Sequence, residues 1–219
     1  MATSVFINEF HYDNDGTDVG EFIEIAAPAG TDLTGWSLVL YNGANGSAYT
    51  TTSLSDFTVV DQGSGFGTVT VNYPTNGIQN GAPDGFALVN NLGQVVQFLS
   101  YEGVFTAVGG PADGLTSVDI GVAESGSEPA GLSLQLTGSG STYEDFNWTA
   151  PAAQTPKAVN SNQTFTPASP AVNAFISEIH YDNVGTDEGE FIEITANAGA
   201  DLNGYSVVLY NGNGGAPYN

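Results

Sequence analysis

The feature that most restricts how this chain can fold is a duplication at a spacing of 169 residues. Phe6-Ile7-Asn8-Glu9-Phe10-His11-Tyr12-Asp13-Asn14 returns as Phe175-Ile176-Ser177-Glu178-Ile179-His180-Tyr181-Asp182-Asn183. Gly20-Glu21-Phe22-Ile23-Glu24-Ile25 returns as Gly189-Glu190-Phe191-Ile192-Glu193-Ile194, and Val39-Leu40-Tyr41-Asn42-Gly43 as Val208-Leu209-Tyr210-Asn211-Gly212. From Val5/Ala174 to Tyr49/Tyr218 the stretches align without a gap, and 30 of the 45 pairs are identical. A repeat at constant offset is one structural unit written twice. A complete copy is therefore expected over 4–166, a Pro/Ala/Ser-rich linker over 167–173, and a partial second copy over 174–219.

Within the first copy, runs rich in β-branched and aromatic residues recur between Gly, Asn, Asp and Pro. Strands are expected at Val5–Tyr12, Glu21–Ala26, Trp36–Tyr41, Thr68–Tyr73, Phe86–Asn90, Val95–Tyr101 and Leu132–Leu136. Asn90-Asn91-Leu92-Gly93 reads as a hairpin turn. No segment carries a capped helical stripe. Seven or more short strands without helices indicate an all-β sandwich or barrel. By homology of the two copies, the partial copy supplies about three strands.

Charge narrows the function. The chain has 24 Asp and Glu against a single Lys or Arg, Lys157, for a formal net charge of -23. Such a surface repels phosphate backbones and anionic lipid, so direct nucleic-acid binding is not expected. There is no cysteine, which removes thiol catalysis, thiolate metal sites and disulfides. No apolar run reaches the length of a membrane span, so membrane insertion is not expected. No leader is visible ahead of the first strand, so any export signal is expected to have been removed.

Several motifs in order resemble the bacterial lamin-tail domain. They are the run Val5–Asn14, Gly20–Ile25 and Leu33-Thr34-Gly35-Trp36-Ser37-Leu38, then Gly77–Gly85, Phe98–Gly103, Ser133-Leu134-Gln135-Leu136 and Trp148-Thr149-Ala150-Pro151. The resemblance covers nearly all of 5–165 and repeats in 174–219. It is similar to the copies attached to secreted nucleases of the endonuclease/exonuclease/phosphatase kind. It implies an Ig-like β-sandwich, a secreted, extracellular or cell-surface setting, and an accessory role. One departure is Lys157, where the resemblance leads one to expect glycine.

Catalysis is not expected. The only histidines, His11 and His180, are the same position in two copies, and no serine lies in a nucleophile elbow. The strongest site candidate is the acidic connection after the first strand. Glu9, Asp13, Asn14, Asp18 and Glu21 are retained in the second copy as Glu178, Asp182, Asn183, Asp187 and Glu190, whereas Asp15 becomes Val184. Hard oxygen ligands around a glycine turn suit Ca²⁺. Glu9 alternates in phase with Val5 and Ile7, and Glu21 with Ile23 and Ile25, so both are expected to face inward. An unpaired carboxylate there is costly. The partner is either a metal ion or a hydrogen-bond network. Glu24 and Glu193 fall on the opposite face and are expected to be solvated. His11 and His180 read as packed, hydrogen-bonded histidines. Asp84, Glu102, Asp119 and Glu124 form a second, weaker acidic candidate.

Three strands alone would leave apolar faces and open edges. The partial copy is thus a cut from a longer array, or completes another chain's sandwich, or replaces the equivalent strands of its own. The resulting expectation is a Ca²⁺-binding structural or adhesive repeat that self-associates, building a fibre or surface array by strand exchange. The alternative is an accessory targeting domain of a secreted nuclease or phosphatase.

Overall fold

The computed structural model describes residues 3–166, 173–200, 202 and 205–218. The chain divides into two compact units, Met1–Ala168 and Ser169–Asn219. The expected linker 167–173 lies, apart from Asn173, outside the described residues.

The first unit contains β1 (Phe6–His11), β2 (Phe22–Pro28), β3 (Ser37–Asn42), β4 (Ser47–Ser53), β5 (Phe66–Asn72) and β6 (Asp84–Val89). It continues with β7 (Val95–Tyr101), β8 (Val118–Asp119), β9 (Leu132–Gly140), β10 (Phe146–Ala153) and β11 (Gln163–Phe165). One sheet runs β10-β9-β1-β2-β5, with β11 parallel on β9, and the other runs β4-β3-β6-β7-β8. This is the all-β sandwich expected from the strand spacing. The hairpin at Asn90–Gly93 joins β6 to β7, closed by Asn90 N–H on Gln94 O at 2.9 Å. Four strands were not anticipated: β4, β8, β10 and β11.

Ile7, Phe10, Ile23 and Ile25 from the first sheet meet Leu38, Leu40, Phe86 and Leu99 from the second in the main core. Both outer faces are covered as well. Phe105, Ala107 and Ala112 close over Val39, Tyr41 and Phe98 on one side. Phe146 and Phe165 close over Phe6, Ala26 and Phe66 on the other. Every residue of β1 is therefore buried, including its polar Asn8, Glu9 and His11.

A β-bulge decides where those polar groups go. The pairing steps from Ile7↔Ile25 to Glu9↔Glu24, which leaves Asn8 as the extra residue. The bulge returns Phe10 and Tyr12 to the core and turns Glu9 to the outer face, beside Glu24. Strict alternation, which placed Glu9 inward with Ile7, fails at this point.

In the second unit, β12 (Ala174–His180) and β13 (Phe191–Ala196) repeat this geometry. Ile176↔Ile194, Glu178↔Glu193 and Ile179↔Ile192 follow the same register, with the same bulge. The third expected strand forms no ladder among the described residues. The turn after it is nonetheless kept: Gly215 N–H meets Asn211 O at 2.8 Å, as Gly46 N–H meets Asn42 O at 2.7 Å.

Candidate functional site

The carboxylates of the first unit lie in separate places. Glu9, with no exposed surface, accepts hydrogen bonds from Ser133 Oγ (2.6 Å), Gln135 Nε2 (3.3 Å), Thr155 N (2.7 Å) and Thr155 Oγ1 (2.9 Å). Across the ladder, Glu24 accepts from Thr70 Oγ1 (2.7 Å), the Lys157 backbone N–H (2.6 Å) and Asn8 Nδ2 (3.3 Å). Asn160 ties the cover down, its amide donating to Asn8 O and Leu136 O at 3.0 Å each. The result is a polar seam between the first sheet and the segment that follows β10. Glu24 is on the face the alternation assigned but is fully buried, not solvated, because that segment folds over it.

Burial drives the energetics of the seam. It pushes Glu24 up to about 7, against the hydrogen bonds from Thr70 and Lys157, and the charge of Glu9 adds to the rise. Burial also raises Glu9, opposed by Ser133 and Thr155. No cationic side chain meets either group; the donors are hydroxyls, amides and backbone N–H.

Lys157 contributes only its backbone. Its φ is 69°, the left-handed region that favours glycine. This gives a physical reason for glycine at the position. Lys157→Gly keeps the N–H donated to Glu24 while relieving the side-chain clash. A net gain of about 0.5–1 kcal/mol is expected after the added entropy of the unfolded chain. A melting temperature unchanged or lowered would refute this.

Beyond the seam, His11 is 1% exposed. Its Nδ1 lies 2.8 Å from Glu124 Oε1 and its Nε2 lies 3.2 Å from Asn14 Oδ1. Asn14 turns its oxygen to the ring, because its amide donates to Asp15 O (3.1 Å) and Thr17 O (2.9 Å). Both ring nitrogens thus face acceptors, and only the imidazolium can donate to both. Burial alone would lower the His11 pKa; the hydrogen bond and charge of Glu124 outweigh it, and the net shift is upward. The second oxygen of Glu124 accepts the N–H groups of Tyr12 (2.7 Å) and Asp13 (3.0 Å). The histidine is packed and hydrogen-bonded as expected, and its two acceptors favour the imidazolium, a charge that a count of Lys and Arg does not include.

The expected five-residue calcium set does not converge. Glu9 belongs to the seam. Glu21 is buried on the inner side, and its two oxygens accept Gly77 N–H and Ile78 N–H at 2.8 Å each. Asn14 serves His11 and the backbone. Asp13 and Asp18 remain together. Burial, then the charge of Asp18, raises the Asp13 pKa, while Asp18 takes Asn14 N–H (3.1 Å) and Asn80 Nδ2 (3.2 Å). Asp18 lies on the wall of an open cleft of about 580 Å³ shared with Asn76, Asn80 and Asp84. No group of three or more His, Asp or Glu is poised for a metal among the described residues. In the first unit protein N–H and O–H groups already occupy Glu9 and Glu21. In the second unit Glu178, Asp182, Asn183, Asp187 and Glu190 are all exposed. There the Asn183 N–H still donates to Asp187 Oδ1, at 3.4 Å.

In the second acidic candidate, Glu102 and the Glu124 backbone meet at the Tyr12 hydroxyl, and each carboxylate has its own protein donor. Asp84 accepts Gly43 and Gly81 N–H at 2.8 Å each, Glu102 accepts the Tyr12 hydroxyl at 2.9 Å, and Asp119 accepts Gly121 N–H at 3.0 Å. Glu124 pairs with His11. The residues missed by sequence reasoning are the seam's donors. Ser133 and Gln135 alternate as uncharged polar groups along Leu132–Leu136, a readable sign that β9 offers hydrogen bonds on one face.

The fold and its seams define an all-β sandwich in which the buried Glu9, Glu21 and Glu24 are held by neutral donors. No protein-family model, curated protein or solved structure matches the chain.

Proposed function

We propose that this chain is a non-catalytic, secreted structural or adhesive repeat of the bacterial lamin-tail kind, which self-associates through its second unit. One observation carries the reading. Ile176 and Ile179 are 58% and 56% exposed, whereas their counterparts Ile7 and Phe10 are 0% exposed. Phe175, Ile194, Leu202 and Tyr205 are open as well. An apolar surface of this extent marks an interaction site. Against catalysis stands the burial of the first unit's chemistry: Glu9, Glu24 and His11 are at most 1% exposed. Among the described residues no helix is long and apolar enough to cross a membrane.

Sedimentation velocity of the 219-residue chain tests the reading. Concentration-dependent assembly is expected, and Ile179→Asp is expected to weaken it without changing the melt of the first unit. A monomer at all concentrations overturns it.

A second reading is favoured by the Asp13–Asp18 pair, two neighbouring carboxylates of which Asp18 is buried and Asp13 half-buried. Calcium at this pair is expected to raise the melting temperature with ligand concentration. Asp13→Asn removes that response. An equal Ca²⁺ response in wild type and variant rejects the pair as the site.

A further inference from the structure

Resting on the self-association reading, we infer that residues 174–218 are a portable first half of the sandwich, and that the partner they fit is the seat formed by residues 50–166 of a second copy of this chain. The occupant is named by the first unit itself. There, residues 5–49 sit against β5, β6, β7 and β9, and the seat is shaped for both of their faces. The second unit repeats 30 of those 45 residues. It also repeats the ladder register and the bulge in β12 and β13, so the side chains of those two strands are already arrayed as the seat requires.

The match extends to the polar code. Glu178 and Glu193 stand opposite one another as Glu9 and Glu24 do. Seated, they would meet Ser133 and Thr155, and Thr70 and the Lys157 N–H. His180 would meet Glu124. These partners carry no fixed positive charge, so a basic surface is not the complement; a row of neutral donors is. Chain geometry permits the exchange. Thr3 O receives the Tyr143 N–H at 3.0 Å, and Thr166 N–H donates to Gly140 O at 2.9 Å. The first unit therefore begins and ends on one loop, so a first half arriving from another chain can be joined at the place where its own begins.

Two substitutions rank the claimants. Ile179 replaces Phe10, whose ring packs against Phe86 at 4.9 Å and Trp148 at 5.4 Å. Ser177 replaces Asn8, which binds Asn160 and Gln163. Residues 5–49 are the stronger occupant, so residues 174–218 of a second copy displace them only as concentration rises. Residues 50–166 seat one claimant at a time, so residues 174–218 engage a copy whose own first half is unseated.

The test is complementation between full-length chains. The recipient, isotope-labelled, carries Phe10→Asp and Ile179→Asp, which disable both of its own claimants. The donor is unlabelled wild type, and the two are refolded together. A one-to-one complex is expected, with amide protection appearing in the recipient's β5 and β9. A donor carrying Ile179→Asp should be at least tenfold less effective. A recipient that stays unprotected with the wild-type donor, or is rescued equally by the Ile179→Asp donor, overturns the inference. A wild-type chain that complements yet sediments alone as a monomer sustains it while ending the self-association reading.

Discussion

Glu9→Ala is expected to destabilise the first unit by about 3–5 kcal/mol, since each buried donor left without its acceptor costs about 1–3 kcal/mol. The change strips the acceptor from Ser133 Oγ, from Gln135 Nε2 and from both the N–H and hydroxyl of Thr155. Ser133 and Gln135 are buried with Glu9 and cannot turn to water, whereas Thr155 is half-buried. Gln135 retains Ala153 O at 2.7 Å, which limits the loss. Against a typical domain stability of about 5–15 kcal/mol, the drop is large enough to see as a shift of about 10 °C in the melt. Glu178→Ala, the same position in the second unit, is the internal control. That side chain is exposed, and a change within about 0.5 kcal/mol is expected. Urea melts of both variants decide the matter; equal effects at the two positions would show that the seam contributes no stability of its own.

The contrast also explains what could be read before the structure. The main strands were legible because β-branched and aromatic runs between turn residues leave few alternatives. Val95–Tyr101 was placed to the residue. The strand β4, Ser-Ala-Tyr-Thr-Thr-Thr-Ser, was missed because it has almost no apolar face, and it sits at the edge of its sheet. Glu9 was assigned to the wrong face because one extra residue at a bulge inverts every later inference from alternation. Burial of Glu24 was invisible because its cover comes from Lys157, 133 residues away. The same holds for His11, whose partner Glu124 is 113 residues distant. Long-range polar pairing leaves no local period in a sequence. The need for a partner at Glu9 was correctly inferred from burial cost; its identity as a set of hydroxyls, an amide and a backbone N–H required the fold.

Stability of the first unit is expected to rise as pH falls from 8 to about 5, the reverse of what carboxylates held by cations produce. Glu24 carries the largest share. Its native pKa, pushed up to about 7 from 4.5, means the folded state binds the proton more tightly than the unfolded chain does. The associated stability is fully present below the unfolded value, declines as pH rises between 4.5 and 7, and is gone above the native value. A rise of this size corresponds to about 3 kcal/mol. Glu9, Glu21 and Asp84 are raised by burial and act in the same direction. So does His11: its pKa lies above 6.5 in the fold, so its contribution holds below 6.5 and fades as pH rises through the native value. Only the exposed Asp32, Glu128 and Asp145 are lowered, and they oppose the trend only in more acidic solution. Glu24→Gln places a permanently neutral group in the seam, so the variant should lose most of the slope between pH 5 and 7. Thermal melts at unit pH intervals give the comparison, and an undiminished slope in Glu24→Gln would assign the pH response to overall charge repulsion in this -23 chain instead of to the seam.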